Sequence, residues 1–489
     1  MNIQLQVLGH ALRGVAEEMG AALVRSAFSA NIKERRDCST ALFDERGRMV
    51  AQAEHIPVHL GAMPDAVAAV MRHDPSRADV FVLNDPFAGG THLPDITIVS
   101  RTDLGFAVTR AHHADVGGVE PGSMPAASRT LEEEGVVIPP TRLEAGTLDR
   151  LVALMRNPDE RHGDFRAQLA AHRLADERIA ELCARHGAAR IRAAMDKLLA
   201  YSERVVRAGI GHLPDGRFEA TDVLEATEGE LEIRAAVTIA GDGLEVDFTG
   251  TSPQHSGNLN CPLSVTRSAT YFVVRCLTDP DVPASAGAFA PVRVTAPQGS
   301  LVNARPGAAV AGGNVETSCR IVDVLFRALG RAVSVPAQGQ GTMNNLTLGN
   351  EQFTYYETIG GGQGACPDGP GPSGVHVTMS NTLTTPAEAL ELAYPLRVRR
   401  HVLRLGSGGD GRYRGGDGVV RELEALTACR ASILSERRAH RPAGAEGGGS
   451  GEAGRNLLNG RELPAKTTVD LEPGDVLRIE TPGGGGFGS

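Results

Sequence analysis

The chain has 489 residues, a formal charge of −10, 41% apolar and 4% aromatic side chains, and no Trp. That length can bury a large core spread over about two to four domains. The acidic balance and the lack of a long basic block exclude a nucleic-acid footprint, and no apolar run approaches the roughly 20 residues that span a bilayer.

Gly (59 residues) and Pro (28 residues) are abundant, which implies many turns and close backbone approaches. Met1 to His10 has no basic stretch followed by an apolar one, so no signal peptide is expected. The seven cysteines stand singly, at 38, 183, 261, 276, 319, 366 and 429, with no CxxC. A disulfide framework or thiolate zinc site is not expected. The simplest reading is a reduced, cytoplasmic protein.

Leu5, Leu8, Leu12, Val15, Met19 and Leu23 recur every three or four residues and predict an amphipathic helix over 5–26. Residues 38–51 read as strand, Asp44–Gly47 turn and strand, and 78–83, 95–99 and 106–110 as further strands. Asn157–Pro158 predicts a helix start, with Asn as N-cap and Pro at the first position. Helical spacing then runs from about Glu160 to Val206, broken near Gly187. Residues 217–250 alternate as in an antiparallel meander, 316–329 predict a helix behind a glycine turn, and the chain from Pro395 onward is β-rich. The expected class is α+β, with mixed, mostly antiparallel sheets, helical segments and a β-rich C-terminal region. Three regions are expected: 1–210 with the site motifs, 211–390, and 391–489.

The densest run of metal-ligand residue types lies between Asn84 and Gly118. It contains His92, His112, His113, Asp85, Asp95 and Asp115 in two Gly-bounded turns, joined by an expected β-hairpin. Imidazole and carboxylate together suit zinc, manganese or iron, with no thiolate nearby to favour a softer ion. His92 and Asp95, three residues apart, can aim at one ion. His112 and His113 point to opposite faces of a strand, so one of them is a ligand and the other supports the site or acts on substrate. A single HxxD would be only a turn with a histidine in it; two such clusters about twenty residues apart favour a metal site.

Other segments are read more plainly. Asn31–Asp37, with Lys33, Arg35 and Arg36, is expected to be a solvated polar turn, with a phosphate or substrate contact there left open. His59 in Ile56–Gly61 is expected to be structural. Ala311–Ser318 is a glycine turn feeding a helix start, which can hold an anion or simply cap the helix. Residues 406–411 satisfy GxGxxG, but no helix follows, so a dinucleotide fold is rejected. There is no GxxxxGK[ST] and no GxSxG. Cys366 has no identified base and is expected to be inert.

Taken together, Asn31–Asp37, Ile56–Gly61, Asn84–Asp95, Ala111–Gly118, Gly312–Ser318, Gly341–Asn345, Tyr356–Gly362 and the Pro482–Gly488 tail resemble the hydantoinase B family from end to end. That family includes the N-methylhydantoinase B chains, the C-terminal part of 5-oxoprolinase and the α-type subunits of ketone carboxylases. The resemblance implies a partner, a hydantoinase A-type subunit of actin-like ATPase fold that phosphorylates the substrate. It implies a divalent ion here (manganese in the carboxylase relatives), with ATP only on the partner.

By the same resemblance His92, Asp95 and His112 are the metal ligands. His113 or Asp115 would take a proton from water, and Glu316 would contact substrate. The doubled histidine tilts the substrate towards cyclic amides. The implied activity is hydrolytic opening of a five-membered cyclic amide within a hetero-oligomer. The alternatives are a ketone carboxylase α-type chain and a non-catalytic scaffold for the ATPase.

Overall fold

The computed structural model describes residues 3–54 and 56–489; Met1, Asn2 and His55 lie outside them. The N-terminal region is built on a six-stranded sheet of order β2-β1-β5-β4-β3-β6. Its strands are β1 (Cys38–Asp44), β2 (Met49–Glu54), β3 (Val80–Leu83), β4 (Asp95–Thr102), β5 (Gly105–His112) and β6 (Thr141–Arg142). All its neighbouring pairs are antiparallel.

The two central strands are buried on both faces because each face has its own cover. On β5, Ala107 and Ala111 join the apolar cluster of helix Ile3–Ser26 and helix Pro158–His186. Phe106 and Val108 point the other way, into the cluster with Met63, Val67 and Val70 of helix Met63–Met71. The alternation of strand side chains thus sends even residues of β5 to one layer and odd residues to the other. The same rule decides the fate of His112 and His113.

The predicted first helix spans Ile3–Ser26 and buries Leu8, Leu12, Val15, Met19 and Leu23. The long helical stretch is split as expected: Gly187, with a φ of 81°, separates Pro158–His186 from Ala188–Ile210. Asn157 does precede the helix, but it sits in the left-handed region at φ 54°, with no side-chain capping bond. The expected Asn cap is therefore absent; Pro158 and the acidic first turn of Asp159 and Glu160 start this helix.

Gly216–Glu225, Glu230–Ala240 and Gly243–Asp247 form the antiparallel meander, and Val292–Thr295 adds in parallel to its edge. Two further sheets, of four and five antiparallel strands, build the C-terminal part around Leu346, Leu348, Leu423, Ile433 and Ile479. The fold class is α+β. The boundary placed near 210 falls at the end of helix Ala188–Ile210, while that near 390 falls inside helix Ala387–Ala393. One apolar cluster runs from Ala41 through the meander to Leu434.

The GxGxxG segment and the glycine tail belong to one backbone-packed assembly. A Cβ on Gly415 would lie 2.0 Å from the Gly484 carbonyl oxygen, and one on Gly484 would lie 2.0 Å from that of Gln363. Chains touch here at backbone distance, which only glycine permits. No helix among the described residues is long and apolar enough to cross a membrane.

Candidate metal centre

The turn before β4 is shaped by Asn84. Its Nδ2 donates to the Leu93 and Val136 carbonyls at 2.8 and 2.9 Å, and its Oδ1 accepts from Ile138 N at 2.6 Å. Gly90 packs on this residue so closely that a Cβ would meet the Asn84 carbonyl at 2.2 Å. His92 is thereby delivered beside Asp95, the first residue of β4. The β4–β5 ladder then pairs Asp95 directly with His112, and a two-residue turn closes its other end.

Three ligand-type atoms converge. His92 Nε2 and His112 Nδ1 lie 3.1 Å apart, and Asp95 Oδ1 lies 3.2 and 3.3 Å from them. His92, Asp95 and His112 are only 1%, 1% and 2% exposed. A single proton can serve the two ring nitrogens, but not all three atoms. A divalent ion at about 2.1 Å from each ligand would span edges of about 3 Å, as these do. The donor set therefore fits a zinc-, manganese- or iron-class ion. Burial alone would push the Asp95 carboxyl up. The charge of His92 and the hydrogen bonds from His112, His59 and His92 instead hold it well below the usual carboxylate range. Burial lowers the His112 imidazole, against the pull of Asp95, which favours the neutral, ligating form.

Around this trio lies a small cavity of about 20 Å³ lined by Asp37, His59, Tyr356, Thr358, Thr382 and Asn314 among others. It holds little more than one water-sized body. His59, expected to be structural, has its Nε2 3.5 Å from Asp95 Oδ2, while its Nδ1 meets Ser39 Oγ at 2.9 Å. Thr91 Oγ1 also donates to Asp95 Oδ2. Tyr356 stacks on His112, with centroids 4.5 Å apart and planes 10° apart. The outer ring nitrogens, His92 Nδ1 and His112 Nε2, are buried with no hydrogen-bond partner among the described residues. Packing, rather than an outer acceptor, therefore sets the His112 ring.

The Asn31–Asp37 run is not a solvated turn. Asn31, Arg35 and Asp37 are buried, and only Lys33 and Arg36 face solvent. Arg35 donates to the Tyr356 carbonyl at 2.7 Å, Thr358 Oγ1 at 2.6 Å and Thr382 Oγ1 at 3.0 Å, and its guanidinium lies over the Tyr356 ring. The reason is tertiary: the segment Tyr356–Thr382 folds over the run and takes up its donors.

Of the three residues expected to act in catalysis, two turn away from the cavity. His113 lies on the odd face of the hairpin. Its Nε2 pairs with Gln168 Oε1 at 3.0 Å, its ring packs on Phe165, and burial pulls it down to about 4. Asp115 is consumed by its own turn, accepting from Gly117 N and Gly122 N at 2.7 Å each and pairing with Arg156. Neither lines the cavity beside the trio.

Glu316 is one step removed from it. Its Oε1 accepts from Met343 N and Asn345 Nδ2, and Asn345 Oδ1 accepts from the Tyr356 hydroxyl at 2.9 Å. Burial, with the Glu436 charge behind it, pushes Glu316 up to about 7. It opens no regular helix: Gly313–Thr317 form a π-turn before helix Ser318–Leu329. The position ahead of that turn is already filled, because the buried Glu134 carboxyl accepts from Val310 N and Ala311 N at 3.0 Å. Cys366 is half-buried, and burial raises its thiol, in line with an inert residue.

The chain is an α+β protein whose all-but-sealed His/Asp/His set, at the end of a hairpin, could hold a metal ion. The chain belongs to the hydantoinase B/oxoprolinase family, whose model matches residues 1–489. It is 41% identical to 5-oxoprolinase 1 of Arabidopsis thaliana over 100% of this chain and 42% of that protein. It is 31% identical to the putative B component of a D-/L-hydantoinase from a Pseudomonas species, over 100% of this chain and 90% of that one. The chain thus spans about two fifths of the length of the 5-oxoprolinases it matches. Its structure is similar to the ATP-dependent caprolactamase of Pseudomonas jessenii, with a TM-score of 0.92 and 28% identity over 99% of this chain and 91% of that one. It shares the fold of an acetone carboxylase chain at a TM-score of 0.88 and 18% identity, covering 99% and 75% of the two chains.

Proposed function

We propose that this chain is the metal-holding subunit of an ATP-dependent amidohydrolase that opens a five-membered cyclic amide such as a hydantoin or 5-oxoproline. The observation that carries this reading is the convergence of His92 Nε2, Asp95 Oδ1 and His112 Nδ1 within 3.3 Å, on a chain related to 5-oxoprolinases and to a lactam-opening enzyme. A hydantoinase A-type ATPase is the proposed partner, which phosphorylates the amide oxygen and makes a leaving group of it. The absence of a phosphate-binding loop in this sequence and the likeness to one component of a D-/L-hydantoinase support that division.

His92, Asp95 and His112 would hold the ion. When bound, it would polarise the reacting carbon and acidify water. The chain's own groups supply the rest. His59, whose Nε2 lies 3.5 Å from Asp95 Oδ2, lines the cavity and steadies that carboxylate. Asp37, Thr358 and Thr382 give the cavity its polar wall. Glu316 acts as a positioning residue, through Asn345 and Tyr356, on the His112 ring. His113 and Asp115 serve the scaffold, not the proton transfer.

The test uses the co-purified pair, following phosphate release and ring opening in parallel without added bicarbonate. Asp95→Ala is expected to abolish ring opening while some substrate-stimulated ATP cleavage persists. Ring opening that survives the substitution overturns the reading. Product formed only with bicarbonate moves the ketone carboxylase reading ahead.

A further inference from the structure

A cavity of about 480 Å³ shares no lining residue with the metal cavity. Phe272 of helix Leu263–Leu277, Phe326 of helix Ser318–Leu329, Val335 and Val377 give it apolar walls. Four charged side chains line it: Asp323, Arg327, Arg331 and Glu446.

Asp323 is the buried one, at 4% exposure. Its Oδ2 takes up Arg437 at 2.7 Å and Arg320 at 2.9 Å. Its Oδ1 accepts no hydrogen bond among the described residues, yet it is not one of the unpaired side-chain atoms shut off from solvent. Oδ1 therefore reaches solvent, and this cavity is the space that Asp323 lines. The two guanidiniums behind it are shared with Asp222, and Arg320 also with Glu436. They do not offset its burial. Burial pushes the Asp323 carboxyl up to about 7 against the pull of Arg320, and the Asp222 charge adds to the push. A buried carboxylate with an open oxygen and too little positive charge around it calls for a cationic donor.

The other charges favour an anion. Glu446 stands exposed and already accepts from Ser334 Oγ at 2.6 Å. Arg327 spends one N–H on the Thr221 carbonyl at 3.2 Å, and Arg331 is exposed with no side-chain partner among the described residues. Arg327 follows Asp323 by one helical turn on the same face, an offset of about 6 Å along the axis. Arg331 comes just past the helix end. An open carboxylate oxygen and open guanidinium donors are thus set apart by the length of a short carbon chain.

We propose that this cavity is a second ligand site, for a small amino acid, with Asp323 taking its ammonium and Arg327 and Arg331 its carboxylate. Opening a five-membered lactam leaves an amine and a carboxylate at the two ends of a short carbon chain, so the product of the reaction proposed above has the required form. Naming the ligand as product rests on that reading; the site itself rests on the cavity, Asp323 and the two arginines. The two sources of this chemistry are acidic α-amino acids and ω-amino acids.

Calorimetric titration of the full chain separates them, with L-glutamate and 4-aminobutyrate as probes. Glutarate is the control lacking the amine, and butylamine the control lacking the carboxylate. At least one amino acid is expected to bind equally before and after EDTA treatment of the chain, and each control at least about tenfold more weakly. Asp323→Asn is expected to weaken that binding by about tenfold or more, and Arg331→Met by about threefold or more. Asp323→Asn also disturbs two buried ion pairs; if it melts lower than the parent, Arg331→Met and the two controls carry the test. Binding of neither amino acid, a control that binds as tightly, unchanged binding in either variant, or loss of binding with the metal overturns the proposal. If ring opening survives Asp95→Ala while an amino acid still binds here, the metal-centre reading falls and this site stands.

Discussion

Asp95 and His112 are direct partners at the open end of the β4–β5 hairpin, and the carboxylate Oδ1 lies 3.3 Å from the ring Nδ1. Two residues far apart in sequence are thus held together by ladder register. The site inherits the rigidity of the sheet, and His92 joins from the turn that feeds it.

This relation predicts the metal content. The chain is expected to hold about one divalent ion, since three protein ligands leave a position open for substrate. His92→Ala should lower the bound metal, by elemental analysis, to a small fraction of that of the parent. Unchanged content would show that the ion lies elsewhere.

Tyr356 should matter through its ring more than through its hydroxyl. Tyr356→Phe keeps the stack on His112 and loses one hydrogen bond to Asn345, at a cost of about 1 kcal/mol in chemical denaturation. Tyr356→Ala frees the His112 ring and is expected to weaken metal affinity about tenfold or more in a competition titration. Equal affinities for the two variants would contradict the positioning role.

Glu134 should carry a pH-dependent share of stability. Burial pushes its carboxyl from 4.5 up to about 7, against the hydrogen bonds from Val310 N, Ala311 N and Ser128. The folded state therefore holds a proton that the unfolded chain releases. Its contribution is full below about 4.5 and is lost as pH rises through 7. Glu134→Gln cannot accept from both backbone N–H groups without turning its own N–H₂ towards one, and should cost about 1–3 kcal/mol. Denaturation at several pH values should show the gap between parent and variant narrowing from pH 4.5 to 7. A gap that widens would reverse the sign argued here.

The glycine assembly makes a sharp contrast. A Cβ on Gly484 would meet the Gln363 oxygen at 2.0 Å, whereas one on Gly369 would meet nothing within 4 Å. Gly484→Ala should lower stability by more than about 3 kcal/mol or prevent folding, and Gly369→Ala should change it by less than about 0.5 kcal/mol. Melting curves of the two variants decide it.

Local pattern was enough for the parts of this molecule that are local. The spacing of Leu8, Leu12, Val15, Met19 and Leu23 defines the first helix, and Gly187 marks the break between two long ones. The chemistry of His92, Asp95 and His112 and the hairpin between them were legible because ligand type and strand alternation are properties of neighbouring residues. Alternation also says that His112 and His113 part company, though not which of them meets Asp95; the ladder register sets His112 opposite Asp95.

Only the tertiary structure decided what lands on that hairpin. Tyr356 comes from far along the chain to stack on His112, Arg35 is buried beneath Tyr356–Thr382 and not solvated, and His59 reaches Asp95. Glu134 fills a helix start 176 residues away, so no anion site remains there. Asp115 is spent on its own turn. The physical reason is common to all of these: periodicity encodes which face of an element is buried, while the partner on that face is chosen by packing and hydrogen-bond satisfaction across the whole fold.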